Sequence, residues 1–150
     1  MNRAHKAINH LLVRLFNDIL AIEERTLSSG QFSDASVREM HVLEAAGGEV
    51  EGGNNMSAIA ARLGITVGSL TVAVSTLERK GYLWRERATD DKRVVRVLLT
   101  ERGRKLNQRH AAFHAKMVTE VQSALTAEQL EVLADALERI ITFFEGSEFL

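Results

Sequence analysis

The chain has 150 residues, 45% hydrophobic and 26% charged, a balance typical of a globular domain rather than a disordered segment. It contains no cysteine, which excludes disulfides, thiolate nucleophiles and cysteine-bound zinc. No apolar run approaches the ~20 residues that span a bilayer, and the N-terminal segment lacks the apolar core of a signal peptide. We therefore expect a cytoplasmic protein without a membrane segment.

The first predicted helix, residues 3 to 28, is apolar on several faces, which indicates burial against more than its own small domain. Its apolar residues are Ile8, Leu11, Leu12, Leu15, Phe16, Ile19, Leu20 and Ile22. A partner subunit is the natural candidate to bury these residues.

The second helix begins at Ser36, because Ser36 and Glu39 match the capping-box pattern. The glycine-rich stretch 47–55 predicts a loop.

Two short helices joined by a glycine turn follow. Asn55 is the predicted N-cap of the third helix, and Gly64 closes that helix. Thr66 then caps the fourth helix, which stops at Gly81. The apolar positions of the fourth helix, all predicted to be buried, are Leu70, Val74 and Leu77.

A basic hairpin comes next, with predicted strands from Tyr82 to Arg87 and from Val94 to Leu98. Thr100 is the predicted cap of a fifth helix, and Thr126 begins the sixth. This order predicts a mainly α fold with a small β-hairpin, in a single domain 1–150. Its winged helix-turn-helix head, 33–100, lies between N- and C-terminal dimerisation helices, 1–30 and 101–150.

Positive charge is concentrated in the winged segment. From Met56 to Lys105 there are eleven Lys and Arg against five Asp and Glu, a net charge of +6, while the whole chain carries −1. Phosphates of duplex DNA attract such a patch. Double-stranded DNA is therefore the expected partner.

The outward face of the fourth helix is small and mostly uncharged, so it fits a major groove closely. It carries no Arg, Asn or Gln for a bidentate base contact, which predicts a site that is rich in A·T pairs. At the hairpin tip, Lys92 and Arg93 are placed to enter the adjacent minor groove, and Asp91 to orient an arginine. The candidate DNA contacts are Thr66, Val67, Gly68, Ser69, Thr71, Val72, Ser75, Arg79, Lys80, Arg87, Lys92 and Arg93.

Three motifs in and beside the wing resemble the MarR family of bacterial transcriptional regulators. They are Leu77-Glu78-Arg79-Lys80-Gly81-Tyr82, Asp91-Lys92-Arg93 and Leu99-Thr100-Glu101-Arg102-Gly103. The resemblance implies a homodimer on an inverted repeat. The stretches 15–24, 39–41 and 109–114 are also similar to the MarR-type repressors of fatty-acid synthesis genes. That subgroup implies a long-chain acyl group on acyl carrier protein as corepressor.

Histidines on two helices raise a second effector hypothesis. His110 and His114 have the i, i+4 spacing that chelates metals, and some zinc-sensing MarR members place a Glu and three His at similar positions. Glu24, His41, His110 and His114 are therefore a candidate zinc site. Alternatively, His110 is a core residue, or His41, His110 and His114 line an effector pocket for an acyl chain.

Two other function classes compete with a DNA-binding regulator. A winged helix can serve as an interaction module without DNA, but the basic patch argues against this. An enzyme lacks support, since the sequence shows no phosphate-cradling glycine loop, nucleophile motif or paired carboxylates in an apolar setting. The sequence does not specify the operator, the target genes or the sign of regulation.

Overall fold

The computed structural model of this chain describes residues 2–48 and 54–146. Seven α-helices and two β-strands lie within these ranges. They are α1 (Arg3–His10), α2 (Phe16–Leu27), α3 (Val37–Gly47), α4 (Met56–Leu63), α5 (Val67–Arg79), β1 (Leu83–Arg87), β2 (Val95–Leu99), α6 (Glu101–Ser123) and α7 (Ala127–Glu145). The fold is mainly helical with a small hairpin, as predicted, and the predicted third and fourth helices are α4 and α5.

The N-terminal helix extends over the predicted residues but is not uniform. A π-helical segment, Leu11–Leu15, joins α1 to α2, and apolar periodicity gave no sign of this wider turn. After α2 the chain forms a short 3-10 turn, Gly30–Phe32. Gly30 has a φ of 59°, a left-handed conformation that glycine adopts without steric cost.

Side-chain caps begin five helices at the predicted residues. Each cap accepts a backbone N–H that the helix start leaves without an intrahelical partner. The caps are Ser36 on α3, Asn55 on α4, Thr66 on α5, Thr100 on α6 and Thr126 on α7. Ser36 with Glu39, and Thr126 with Gln129, complete reciprocal capping boxes. Of the predicted glycine-rich loop, residues 49–53 lie outside the described residues.

A tight turn at Gly64, whose φ is 64°, separates α4 from α5. The two helices are bent by 105°, within the range of DNA-binding helix-turn-helix units. The apolar face of α5 is buried as predicted, with Leu70, Val74 and Leu77 each at 0% exposure. Other side chains from α3, α4, β2 and α6 complete the core around them: Leu43, Ile59, Val97 and Leu106.

The hairpin is antiparallel, with Leu83 opposite Leu99 and Arg87 opposite Val95. Its strands lie within one residue of the predicted bounds. The segment before α4 extends this sheet, because the backbone N–H of Val97 donates to the carbonyl of Asn54 at 2.9 Å. Asn55 forms an additional bridge to Arg96. The wing is therefore tied to the helix that precedes α5.

The chain divides into two compact units, Met1–Ala111 and Ala112–Leu150, with the boundary inside α6. Along α6, Leu106 and His110 are buried, Phe113 and Met117 are half-buried, and Val121 is exposed. Within the described ranges, no single helix is long and apolar enough to cross a membrane. Among the residues that the structure describes, α4 and α5 reach that length and composition when they are taken together as a bent pair.

Candidate nucleic-acid interface

The face of α5 opposite its buried residues is open to solvent. Val67 is 46% and Val72 69% exposed, and Gly68, Thr71 and Ser75 are exposed beside them. At the start of the helix, the Thr66 side chain accepts the backbone N–H of Ser69 at 3.1 Å. The structure thus brings the predicted reading residues of α5 onto one accessible surface, formed by small side chains that a major groove admits.

The wing tip presents Arg93 to solvent. Its side chain is 92% exposed, and the neighbouring Lys92 is exposed as well. The Asp91 carboxylate accepts the backbone N–H of Arg93 at 3.0 Å and its Nε at 3.2 Å. Asp91 therefore orients Arg93, in the manner predicted. A side chain projecting this far suits entry into a minor groove.

Two other predicted cations have the exposure that a phosphate contact requires. Arg79 ends α5 and Arg87 ends β1, and both are exposed. Lys80 differs, because its Nζ lies 2.8 Å from both carboxylate oxygens of Glu39 and also donates to the carbonyl of Asp34. This internal ion pair argues against the prediction that Lys80 contacts DNA, since binding a phosphate would require breaking it.

A polar cluster beside Lys80 joins the end of α5 to the turn before α3. The hydroxyl of buried Tyr82 donates to the Asp34 carboxylate at 2.6 Å, and Arg102 donates to the same oxygen at 3.0 Å. The hydrogen bond from Tyr82, together with the Arg102 charge, lowers the pKa of Asp34. Burial and the bond to Asp34 raise the pKa of Tyr82. The cluster fixes the base of the wing against the turn before α3.

A second ion pair, between Glu78 on α5 and Arg85 on β1, connects the reading helix to the wing. Arg85 Nη2 lies 2.7 Å and Nε 3.2 Å from one Glu78 oxygen, while the backbone N–H of Arg85 donates to the other at 3.1 Å. The hydrogen bonds from Arg85 lower the pKa of Glu78. Arg85 is absent from the predicted DNA contacts. The pairing depends on how the hairpin folds back onto α5, so sequence spacing carries no direct signal for it.

Arg85 lines a cleft of about 500 Å³ between α5 and the wing. Residues at the start of α4 also line the cleft. Its other lining residues include Met56, Val67, Thr71, Arg93 and Val94. Three predicted DNA contacts, Val67, Thr71 and Arg93, therefore converge on one concavity.

The candidate metal residues are brought together only in part. Oxygen and nitrogen atoms of Glu23, His41 and His110 lie within 4.8 Å of one another, where α2, α3 and α6 meet. Glu23 and His110 are buried, and their Oε1 and Nε2 atoms are 2.5 Å apart. Glu24, the predicted ligand, is exposed. The acidic residue that meets the histidines is its neighbour Glu23. His114 belongs to the second unit, where its ring packs edge-on against Phe113.

Comparison with known proteins agrees with the geometry. Residues 49–95 match the MarR family. FabT of Streptococcus pneumoniae, solved in complex with DNA, is 34% identical with a TM-score of 0.86 over 94% of this chain and 97% of that one. The HTH-type transcriptional regulator YkoM of Bacillus subtilis (strain 168) is 26% identical over 79% of this chain and 76% of its own length.

A more distant likeness supports the fold alone. The S. aureus MepR–DNA complex is 22% identical, with a TM-score of 0.76 over 91% of this chain and 97% of the MepR chain. The helix order, the open face of α5 and the arginine-tipped wing thus coincide with a family of regulators rather than enzymes. The chain belongs to the MarR family of transcriptional regulators.

Proposed function

We propose that this chain is a homodimeric repressor that binds an inverted repeat in duplex DNA under the control of an effector. The observation that carries the proposal is the pairing of an exposed, uncharged α5 face with an exposed Arg93 at the wing tip. FabT, similar along most of its length, has been solved with DNA. The small side chains of α5 favour a site rich in A·T pairs, recognised through DNA shape and dimer spacing as much as through base contacts.

Dimerisation is supported by apolar side chains that each unit leaves exposed. On the N-terminal helices these are Ile8, Leu12, Val13, Leu15, Phe16, Leu20 and Ile22. In the second unit they are Val118, Val121, Val132, Leu137, Ile140, Ile141, Phe143 and Phe144. Surfaces this apolar mark protein–protein contacts, and sedimentation equilibrium is expected to return a mass of two protomers.

In vitro selection from a pool of random duplexes tests the DNA-binding proposal. We expect an inverted repeat with half-sites about one helical turn apart and A·T-rich positions under α5. A G·C-rich consensus contacted by α5 contradicts the readout we propose. Failure to enrich any sequence, together with no salt-dependent gel shift, favours the winged-helix interaction module instead.

For the effector, we propose a long-chain acyl group carried by acyl carrier protein, as the similarity to repressors of fatty-acid synthesis genes implies. The test compares acyl-loaded with unloaded acyl carrier protein in the DNA-binding assay. Tighter operator binding with the acylated form only is the expected result. Equal affinity with both forms excludes the carrier as corepressor.

A zinc-responsive regulator is the second candidate, because the structure gathers Glu23, His41 and His110. One carboxylate and two imidazoles are a donor set that suits zinc, which would draw on the three side chains and on a further ligand such as water. Bound zinc would tie α2, α3 and α6 together. The competing interpretation is a core histidine satisfied by its hydrogen bond to Glu23.

Metal analysis of tag-free protein and a zinc titration separate the two interpretations. A sensor is expected to hold stoichiometric zinc and to change its DNA affinity when a chelator removes the metal. Glu23→Gln should then weaken zinc binding, while Glu24→Gln, which alters an exposed neighbour, should not. Equal zinc binding by both variants and wild type excludes this site.

A further inference from the structure

Arg85 has a position that distinguishes it from the exposed cations of the wing. It lies in the cleft between α5 and the hairpin, with Thr71 and Arg93 on the same lining. DNA that contacts both the reading helix and the wing tip has to pass over this cleft. A group on the cleft surface therefore faces the sugar-phosphate backbone between the two contacts.

The hydrogen bonds of Arg85 leave one edge of its guanidinium open. Nε and Nη2 both donate to one oxygen of Glu78, at 3.2 and 2.7 Å. Among the described residues, Arg85 Nη1 has no acceptor. A guanidinium has five N–H donors in a rigid plane, so the edge formed by Nη1 and Nη2 remains available for a second oxyanion. Its planar fork matches phosphate bidentately.

Glu78 also restricts the motion of Arg85. The side chain of Arg85 is 32% exposed, compared with 92% for Arg93. A half-buried arginine held by a carboxylate loses less rotamer freedom on binding than a projecting one. Because Glu78 balances its charge, a phosphate contact here serves to fix the helix and wing on the DNA more than to increase overall attraction.

We propose that Arg85 binds a DNA phosphate with its open guanidinium edge while Glu78 holds the guanidinium in position. This inference rests on the DNA-binding function proposed above. Arg85 would thereby join the reading residues of α5 and the wing tip as a third contact, located between them.

The test measures affinity by fluorescence anisotropy on a labelled duplex carrying the selected operator. Removing Arg85 alone leaves the Glu78 carboxylate facing DNA, so Arg85→Ala is compared within a Glu78→Gln background. We expect this comparison to show about a tenfold loss of affinity. Arg85→Lys keeps the charge without the fork, and we expect it to lose affinity several-fold as well.

A phosphate-specific readout separates a contact from a structural role. Neutral methylphosphonates placed one at a time along the operator should identify a position that weakens wild type but not Arg85→Ala, which is the coupling expected of a direct partner. Trp84, the single tryptophan of the chain, is adjacent to Arg85. Unchanged tryptophan fluorescence of the variants in the absence of DNA therefore indicates an intact wing. Lys116→Ala removes a cation from the second unit as a control, with no expected change.

Equal affinities of Glu78→Gln and the double variant, or of Arg85→Lys and wild type, overturn the inference. So does the absence of any methylphosphonate position coupled to Arg85. Failure of the proposed function looks different: wild type itself would then show no preference for the selected duplex over a scrambled one, whatever residue 85 is.

Discussion

Gly103→Ala tests how closely α6 packs on the base of the wing. A Cβ at Gly103 would lie 1.9 Å from the carbonyl oxygen of Tyr82 and 3.0 Å from its carbonyl carbon. The same oxygen accepts the backbone N–H of Thr100 at 3.0 Å. The α6 backbone at Gly103 therefore has to move away from the Tyr82 carbonyl to admit a methyl group. This movement lengthens the hydrogen bond from Thr100 to Tyr82.

The change that Gly103→Ala makes in the free energy of unfolding combines three effects. Overpacking a well-packed site costs ~1–3 kcal/mol, and weakening the Thr100 hydrogen bond costs ~0.5–1.5 kcal/mol. Alanine regains ~1 kcal/mol over glycine through its higher helix propensity. We therefore expect Gly103→Ala to lower the free energy of unfolding by about 2 kcal/mol.

Urea denaturation followed by circular dichroism measures this change, at one protomer concentration because dimer stability depends on it. Gly68→Ala is the matched control, since the nearest atom to its Cβ is Thr66 Oγ1 at 3.8 Å. That variant should be as stable as wild type or slightly more stable. If Gly103→Ala is also as stable as wild type, the close contact between α6 and Tyr82 is refuted.

Three further predictions concern the wing tip, a helix cap and the polar cluster. Arg93→Ala should weaken operator binding by more than ~1 kcal/mol if the side chain enters the groove, and unchanged affinity at moderate salt removes it from the interface. Ser36→Ala should lower the free energy of unfolding by ~1 kcal/mol in urea, whereas Ser33→Ala, outside any helix, should not. The pKa of Asp34 is below its ordinary value of 3.8 because Tyr82 donates to it, so its stabilisation is complete above about pH 4 and declines as the pH falls further. Asp34→Asn should flatten that acid dependence of stability, and parallel curves for variant and wild type would contradict the assignment.

Features encoded by neighbouring residues were predictable from the sequence. The caps at Ser36, Asn55, Thr66 and Thr126 depend on contacts three residues away. The buried face of α5 follows from helical periodicity, and Asp91 orients Arg93 two residues along the chain. In each case the sequence segment contains both partners, so spacing alone sufficed.

Features that depend on tertiary contacts were not predictable. Lys80 was selected as a basic residue near the wing, but its partner Glu39 is on α3, and nothing local reveals the pair. Glu23 and Glu24 are both acidic, yet one step along an α-helix turns the side chain by about 100°. Only the packing of α2 against α6 decides that Glu23 meets His110.

The most direct test of the account is the affinity of wild-type protein for its selected inverted repeat and for a scrambled duplex of equal composition, measured across a series of salt concentrations. We predict tighter binding to the inverted repeat at a stoichiometry of two protomers per duplex. Affinity for both duplexes should fall steeply as salt rises, because the wing releases counterions from the phosphates. Equal affinity for the two duplexes, or binding that is insensitive to salt, would contradict a sequence-reading winged helix.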